Sequence, residues 1–354
     1  MSARVHKLAF QRAGDGLTPP DPGAGLADLV RKVGAPPGSP RGAAWGLKIR
    51  LAPPGFAPGV QPSWLAALAA GLGAGPESFA WDSLSITTRG LDTPAGLLAQ
   101  AERQGYAAPG SALAFRIPEA AGPGQSSPAG ESTQPPVLDL GPAAALATLT
   151  AIRPHPHLGF WGAVADLGLG TASREAKLDL HRDIRPRVDT PLCAGCGACL
   201  NVCLFDAIVI KAGRAVIDHV RCTGCGECMS VCFMAGIAPE AAAGIGRFQA
   251  GVAGAAAAVA GSFAGRTFHA AFLVDMDRHT SGAGKRTRPL LGDLGILASR
   301  DPVALDQAVW DEITGACGGS LKTWSGYAQD PGALLDEAAA AGLGTRDYRL
   351  VPVS

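Results

Sequence analysis

Apolar positions along the chain fall into short runs between Pro- and Gly-rich turns, and the runs alternate between strand-like and helix-like spacing. Val5 to Phe10 alternates weakly and predicts a strand. After a Pro/Gly-rich stretch, Gly25 to Val33 carries amphipathic helical spacing closed by Gly34. Trp45 to Leu51 reads as a buried strand, Trp64 to Leu72 as a helix, Ser83 to Thr88 as a strand, and Pro94 to Gln104 as a helix ended by Gly105. Glu119 to Pro136 has almost no large apolar residue and predicts a flexible surface loop. Order resumes at Ala143 to Ile152, followed by a Gly-rich segment from Gly159 to Gly170. A cysteine-rich stretch interrupts the pattern. Beyond it, Pro239 to Ala260 is mostly helical, and Thr267 to Val274 and Leu294 to Ala298 read as strands. At Asp301-Pro302 a helix begins, because Asp caps well and Pro suits the first helical position. Ala333 to Ala341 predicts a last helix and Tyr348 to Val353 a last strand. The fold class expected is α/β, with a mixed or parallel sheet built from residues 1–189 and 239–354 and an insert at 190–238.

Composition narrows the picture. With 47% hydrophobic residues among 354, a sizeable core can be buried. The formal net charge of zero leaves no basic footprint, so no nucleic-acid partner is expected. The first residues have no apolar stretch of the secretory kind. The stretch from Gly251 to Gly265 is short of the ~20 apolar residues a spanning helix needs. The expectation is a cytoplasmic protein with no membrane span.

Of the nine cysteines, eight lie between Cys193 and Cys232. Cys193, Cys196, Cys199 and Cys203 are spaced x2, x2, x3, and Cys222, Cys225, Cys228 and Cys232 repeat that spacing. This is the run of bacterial two-cluster ferredoxins, in which the fourth Cys of each run ligates the other cluster. The expected cofactors are therefore two 4Fe-4S clusters. Cys193, Cys196, Cys199 and Cys232 would hold one, and Cys222, Cys225, Cys228 and Cys203 the other. Gly195, Gly197, Gly224 and Gly226 would let the loops turn close to the sulfides. Ala207 to Lys211 and Ala215 to Asp218 predict a hairpin around Gly213, with Ile208, Ile210, Val216 and Ile217 shielding the clusters. A pair of zinc sites is the competing reading, but zinc motifs usually set two Cys pairs far apart. Leu204 and Phe233 stand where Pro usually follows the fourth Cys. Two clusters with eight thiolates would add about −4 to the neutral chain. Arg182, Arg185, Arg187, Lys211, Arg214 and Arg221 lie close by in sequence, as a charge offset, a docking rim or a solvated face.

The segments around the cysteines carry a second resemblance. Arg153-Pro-His155-Pro-His-Leu-Gly-Phe-Trp-Gly162, Gly168-Leu-Gly-Thr-Ala-Ser-Arg-Glu-Ala-Lys-Leu-Asp-Leu-His181 and Gly292-Asp-Leu-Gly-Ile-Leu-Ala-Ser-Arg-Asp-Pro-Val-Ala-Leu-Asp-Gln307 resemble the signature of a family of Fe-S center proteins (domain of unknown function 362). With Lys48, the resemblance spans about residues 25 to 316. It implies an α/β fold with a ferredoxin insert and no settled reaction. The chain departs from that family at Met276-Asp277-Arg278, where members commonly have Cys-Asp-Cys, at Thr171 in place of a common Cys, and at Asp166 in place of a common Asn. A third metal or reactive thiol of the family would be lost here or rebuilt with other ligands.

Outside the cysteines, His155, His157 and His181 could form a metal site with Asp166, Asp179 and Asp275, or could be structural. Ser173, Arg174 and Lys177 follow Gly170 in an expected turn, where backbone amides and cations would suit a small anion. Lys48 lies in an apolar strand, where an unpaired lysine is costly. Lys48, His155, Lys177 and His181 are the candidate catalytic residues, Ser173 and Arg174 the candidate substrate contacts, and His181 the candidate proton donor. Cys317 reads as a buried inert thiol. No Rossmann fingerprint or Walker A motif is present in the required context. Three functions stay open: electron transfer to a redox partner protein, a reductase holding a small anionic or metal-bound substrate beside a cluster, and a redox sensor or scaffold.

Overall fold

The computed structural model describes residues 2–9, 23–36, 38–39, 42–119, 138–240, 243–276 and 291–353. The expected loop at 119–136 lies almost wholly outside the described residues, as do Asp277 and Arg278. Eight strands form one sheet, in the order Tyr348–Val353, Ala3–Leu8, Gly295–Ser299, Thr267–Leu273, Ala145–Ala151, Trp45–Lys48, Phe79–Trp81, Ala114–Arg116. The five strands from Thr267–Leu273 to Ala114–Arg116 run parallel. Gly295–Ser299 is antiparallel to both its neighbours, and Ala3–Leu8 pairs parallel with Tyr348–Val353. The sheet is thus mixed but mostly parallel.

Both faces are covered, as a parallel sheet requires. On one, Leu26, Leu29, Trp64, Leu68 and Leu97 of the first three helices pack on Trp45, Leu47, Leu149 and Phe272. On the other, Val164, Leu167, Phe248 and Val252 pack against Phe79, Trp81 and Leu146. The period of two along a strand sends Lys48 to this second face, opposite Trp45 and Leu47. Three helix starts behave as their sequences dictate. Asp301 accepts from the Ala304 amide at 2.9 Å and Thr93 from Gly96, each with Pro next in line, and Ser173 accepts from Ala176.

Chain order gives the sheet a switch point. From Trp45–Lys48 the chain proceeds outward through Phe79–Trp81 to Ala114–Arg116. It then returns to Ala145–Ala151 on the other side and proceeds toward Thr267–Leu273. The crevice beyond the carboxyl ends of Trp45–Lys48 and Ala145–Ala151 is where open α/β sheets bind ligands.

Several boundaries differ from expectation. The strand expected at Ser83 to Thr88 is loop, and the strand is Phe79–Trp81 just before it. Tryptophan and phenylalanine there pair with Gly46 and Lys48, and that packing outweighs the alternation that followed. Trp45 to Leu51 shortens to Trp45–Lys48. The Gly-rich segment holds the strand Gly159–Trp161 and the buried helix Ala163–Gly168. Ser173 and Arg174 open the helix Arg174–Leu180 rather than a turn. Cys317 is half-buried at the C-cap of Pro302–Ala316.

Candidate functional site

The cysteine-bearing segment leaves the sandwich on Pro186–Val188 and returns on Ile237–Pro239, two strands paired antiparallel with Val188 opposite Ile237. Between them the expected hairpin forms from Ile208–Lys211 and Arg214–Ile217, with Ala212 and Gly213 at positive φ in the turn. Ile208 and Ala215 are buried, but Val216 faces outward. With a period of two, Ala215 and Ile217 take the inner side and Val216 cannot.

The eight cysteines sort into two groups of four. One cavity is lined by Cys193, Cys196, Cys199 and Cys232, and a second by Cys203, Cys222, Cys225 and Cys228. Ile210 closes on the first, and Ile208 and Ile217 on the second. The amide of Ala215 donates to Cys193 Sγ at 3.4 Å, and that of Ala207 to Cys203 Sγ at 3.3 Å. The loop glycines 195, 197, 224 and 226 all have positive φ. A Cβ on Gly195 would lie 2.2 Å from the Gly213 carbonyl oxygen, so only glycine lets that loop reach the hairpin. Among the described residues no three Cys, His, Asp or Glu side chains converge closely enough for a single metal ion. Thiolates spread around a cavity suit an iron–sulfur cube better than a tetrahedral zinc.

Residues 192–235 match the family model of the 4Fe-4S dicluster domain. The segment is a ferredoxin-type iron–sulfur module, and its cysteines are placed to hold 4Fe-4S clusters. No curated protein and no solved structure matches the chain. No described helix is long and apolar enough to cross a membrane. Around the module the basic side chains are mostly engaged locally. Arg214 donates to the Cys193 carbonyl, Arg221 to that of Asp206, Arg187 pairs with Glu240 and Arg182 with Asp179.

The ferredoxin-type module abuts the switch-point crevice. There a cavity of about 80 Å³ is lined by Lys48, Arg50, Asp82, His155, Lys177 and His181, and also by Cys225 and Glu227 of the module. At ~10–15 Å³ per water-sized probe, this is room for roughly five to eight waters. The same Cys225 and Glu227 line the second cysteine cavity, so one wall serves both.

Each polar group has an identifiable position. Lys48 is buried and donates to Asp82 Oδ1 at 2.7 Å and to the Ile49 carbonyl at 2.7 Å, with Asp166 Oδ1 at 3.6 Å. Asp82 also accepts from the amides of Leu51 and Ser83. Asp166, fully buried on Ala163–Gly168, accepts from Thr150 at 2.5 Å and Trp161 Nε1 at 2.7 Å. That helix is capped in turn by Asp306, which takes the amides of Ala163 and Val164. Lys177 donates to Ser83 Oγ at 2.6 Å and the Leu84 carbonyl at 2.7 Å. Burial, and next the charge of Lys48, lower the Lys177 pKa to about 7.

The histidines are held neutral. Burial, and then neighbouring His157 and His181, push His155 well below its usual range, and burial takes His181 to about 4. His181 Nδ1 faces the Lys177 carbonyl at 2.7 Å, and a carbonyl only accepts, so Nδ1 carries the proton and Nε2 the lone pair. His155 Nδ1 accepts from the His157 amide at 3.2 Å, which leaves its proton on Nε2. His157 is a docking residue: Nε2 donates to Gly224 at 3.2 Å, and a Cβ on Gly226 would sit 2.4 Å from that nitrogen. The three histidines do not form a single-ion site with Asp166, Asp179 and Asp275. Asp179 is an exposed partner of Arg182, and Asp275 accepts no place in the cavity lining.

The structure brings together Lys48, His155, Lys177 and His181. It leaves Ser173 and Arg174 outside the lining, with Ser173 capping its helix. Sequence reasoning missed Arg50, Asp82, Trp161 and Glu227. Arg50 was legible, since it lies two residues after Lys48 in an apolar run. Asp82 was hidden by the misplaced strand.

Proposed function

We propose that the chain carries two 4Fe-4S clusters with crossed ligation and is a reductase that holds a small anionic substrate in the switch-point cavity. The observation that carries this reading is the shared wall: Cys225 belongs to one cysteine quartet and also lines the cavity with Lys48, Arg50, His155, Lys177 and His181. The resemblance to the Fe-S center family is part of the same proposal. The clusters, when bound, supply single electrons. Cys193, Cys196, Cys199 and Cys232 would hold one, and Cys203, Cys222, Cys225 and Cys228 the other. The remaining groups bind the substrate, exclude water and supply protons. Lys177 is the proton donor we assign, because its pKa of about 7 lets it give and regain a proton near neutrality. His181 does not serve in that role at rest, since its one proton is tied to the Lys177 carbonyl. His155 Nε2–H is a hydrogen-bond donor.

Electrons would arrive from a redox partner protein at the other quartet. Cys196 there is exposed, and Leu192, Phe233 and Met234 beside it are exposed apolar residues, Phe233 to 77%. The test is anaerobic. Chemically reduced, cluster-loaded protein is mixed with a panel of small organic and inorganic anions, and cluster absorbance is followed. Reoxidation by a particular anion, slowed at least tenfold in Lys177→Met, is expected. Reoxidation only by carrier proteins, at a rate no anion alters, would leave the chain an electron carrier.

A further inference from the structure

One cavity cation is not explained by the internal network. Arg50 lies half-buried with its guanidinium 4.4 Å from the centroid of the Trp161 ring. The two nearby carboxylates are already occupied. Asp82 holds Lys48 and the amides of Leu51 and Ser83, and Asp166 holds Thr150 and Trp161 Nε1. Among the described residues neither carboxylate comes within ion-pair distance of Arg50, and no other acceptor takes its N–H groups. A guanidinium held over an indole ring is restrained by that contact and presents a planar fork of donors. Such a fork matches a carboxylate two bonds at a time.

The rest of the lining limits what that anion is attached to. Leu51, Ile86 and Leu91 supply apolar surface, and free space for roughly five to eight waters suits a small ligand. Of the helices that start beside the cavity, Arg174–Leu180 has its first turn capped by Ser173, and Ala163–Gly168 has its first amides taken by Asp306.

We propose that Arg50, held against Trp161, anchors the carboxylate of a small organic monoacid whose short apolar part lies along Leu51, Ile86 and Leu91. This deepens the reductase reading by naming its substrate class, and it rests on that reading only for the reaction that follows binding. Arg50 is a binding residue, and Trp161 is its positioning residue.

Calorimetric titration of oxidised, cluster-loaded full-length protein tests the assignment without turnover. The probes are butyrate, inorganic phosphate and 1-butanol. Butyrate is expected to bind, with 1-butanol and phosphate each at least tenfold weaker. Arg50→Lys keeps the charge and loses the fork, and should weaken butyrate at least tenfold. Arg50→Ala should lose butyrate binding and regain part of it with added guanidinium ion, which a variant damaged in folding would not. Cluster absorbance unchanged from the parent identifies intact protein. Phosphate binding tighter than butyrate, or Arg50→Lys binding butyrate like the parent, would overturn the proposal. The two readings fail separately: a failed clamp shows as unchanged binding in Arg50→Lys, and a failed reductase shows as monoacids carrying a reducible C=C or C=O group, such as crotonate, that bind but never take electrons from the reduced clusters.

Discussion

Lys48 and Lys177 are two buried lysines a short distance apart in the fold, and their environments set them to different tasks. Lys48 is locked between Asp82 and Asp166, with its carbonyl partner at Ile49. Removing one member of a buried charge set leaves the others uncompensated, which typically costs about 3–5 kcal/mol. Lys48→Met should lower unfolding free energy by about that amount in a denaturant titration, and an unchanged midpoint would deny Lys48 its structural part. Lys177 has hydroxyl and carbonyl partners but no carboxylate within ion-pair distance, and its pKa sits near 7 instead of 10.5. The groups facing it are Lys48 and Arg50, which favour the neutral amine, and Asp82 and Asp166, which oppose them. A lysine lowered in this way is charged below pH 7 and neutral above it. Anion affinity should therefore fall by up to tenfold per unit as pH rises through 7, and Lys177→Met should flatten the profile. A parent profile flat from pH 6 to 8.5 would contradict the assignment. The cost of a lone lysine among Trp45, Leu47 and Ile49 made Lys48 conspicuous in the sequence. Arg50 followed the same argument, but as the second cation of the run it was overlooked. Asp82 could not be seen as a partner while its neighbours were assigned to a strand.

At the level of elements, local chemistry predicted most of the fold. Asp301-Pro302 marked a helix start, and Gly213 marked a hairpin, because caps and turns depend on residues within a few positions. Phe79–Trp81 was missed because it is three residues long, too short for any period to register. The helix at Ala163–Gly168 was missed for a related reason: six residues buried on every side show no amphipathic stripe. Sheet order was not legible, since it depends on long-range pairings such as Ala3–Leu8 with Gly295–Ser299 and Ala145–Ala151 with Thr267–Leu273, which no local pattern encodes. The cysteine spacing was the opposite case, where eight positions within forty carried both a cofactor class and a ligand assignment. That assignment has a direct check. Cys196→Ala should perturb the spectroscopic signal of one cluster and Cys203→Ala that of the other, although both belong to the first run. If both variants damage the same cluster, the quartets that line the two cavities do not reflect ligation.

For the molecule as a whole, cysteine content predicts about eight iron and eight acid-labile sulfide per chain in anaerobic preparations. Stoichiometric zinc without sulfide would end the redox reading. The cation-bearing cavity lies between module and sandwich, so neither part alone contains it. The pairing of Val188 with Ile237 has a consequence for how such a chain can be cut and rejoined. Two residues directly opposite on an antiparallel ladder can be joined by a two-residue turn. A chain in which 189–236 is replaced by Asn-Gly should therefore stay folded, retaining the circular dichroism of the eight-stranded sheet and losing all cluster absorbance. Loss of the sheet signal in that deletion would mean that the sandwich needs the module as a buttress. If it stays folded, the seam is a cassette boundary: a port at which one electron-carrying unit can be lifted out and another fitted, with the ends of the host already held side by side to receive it.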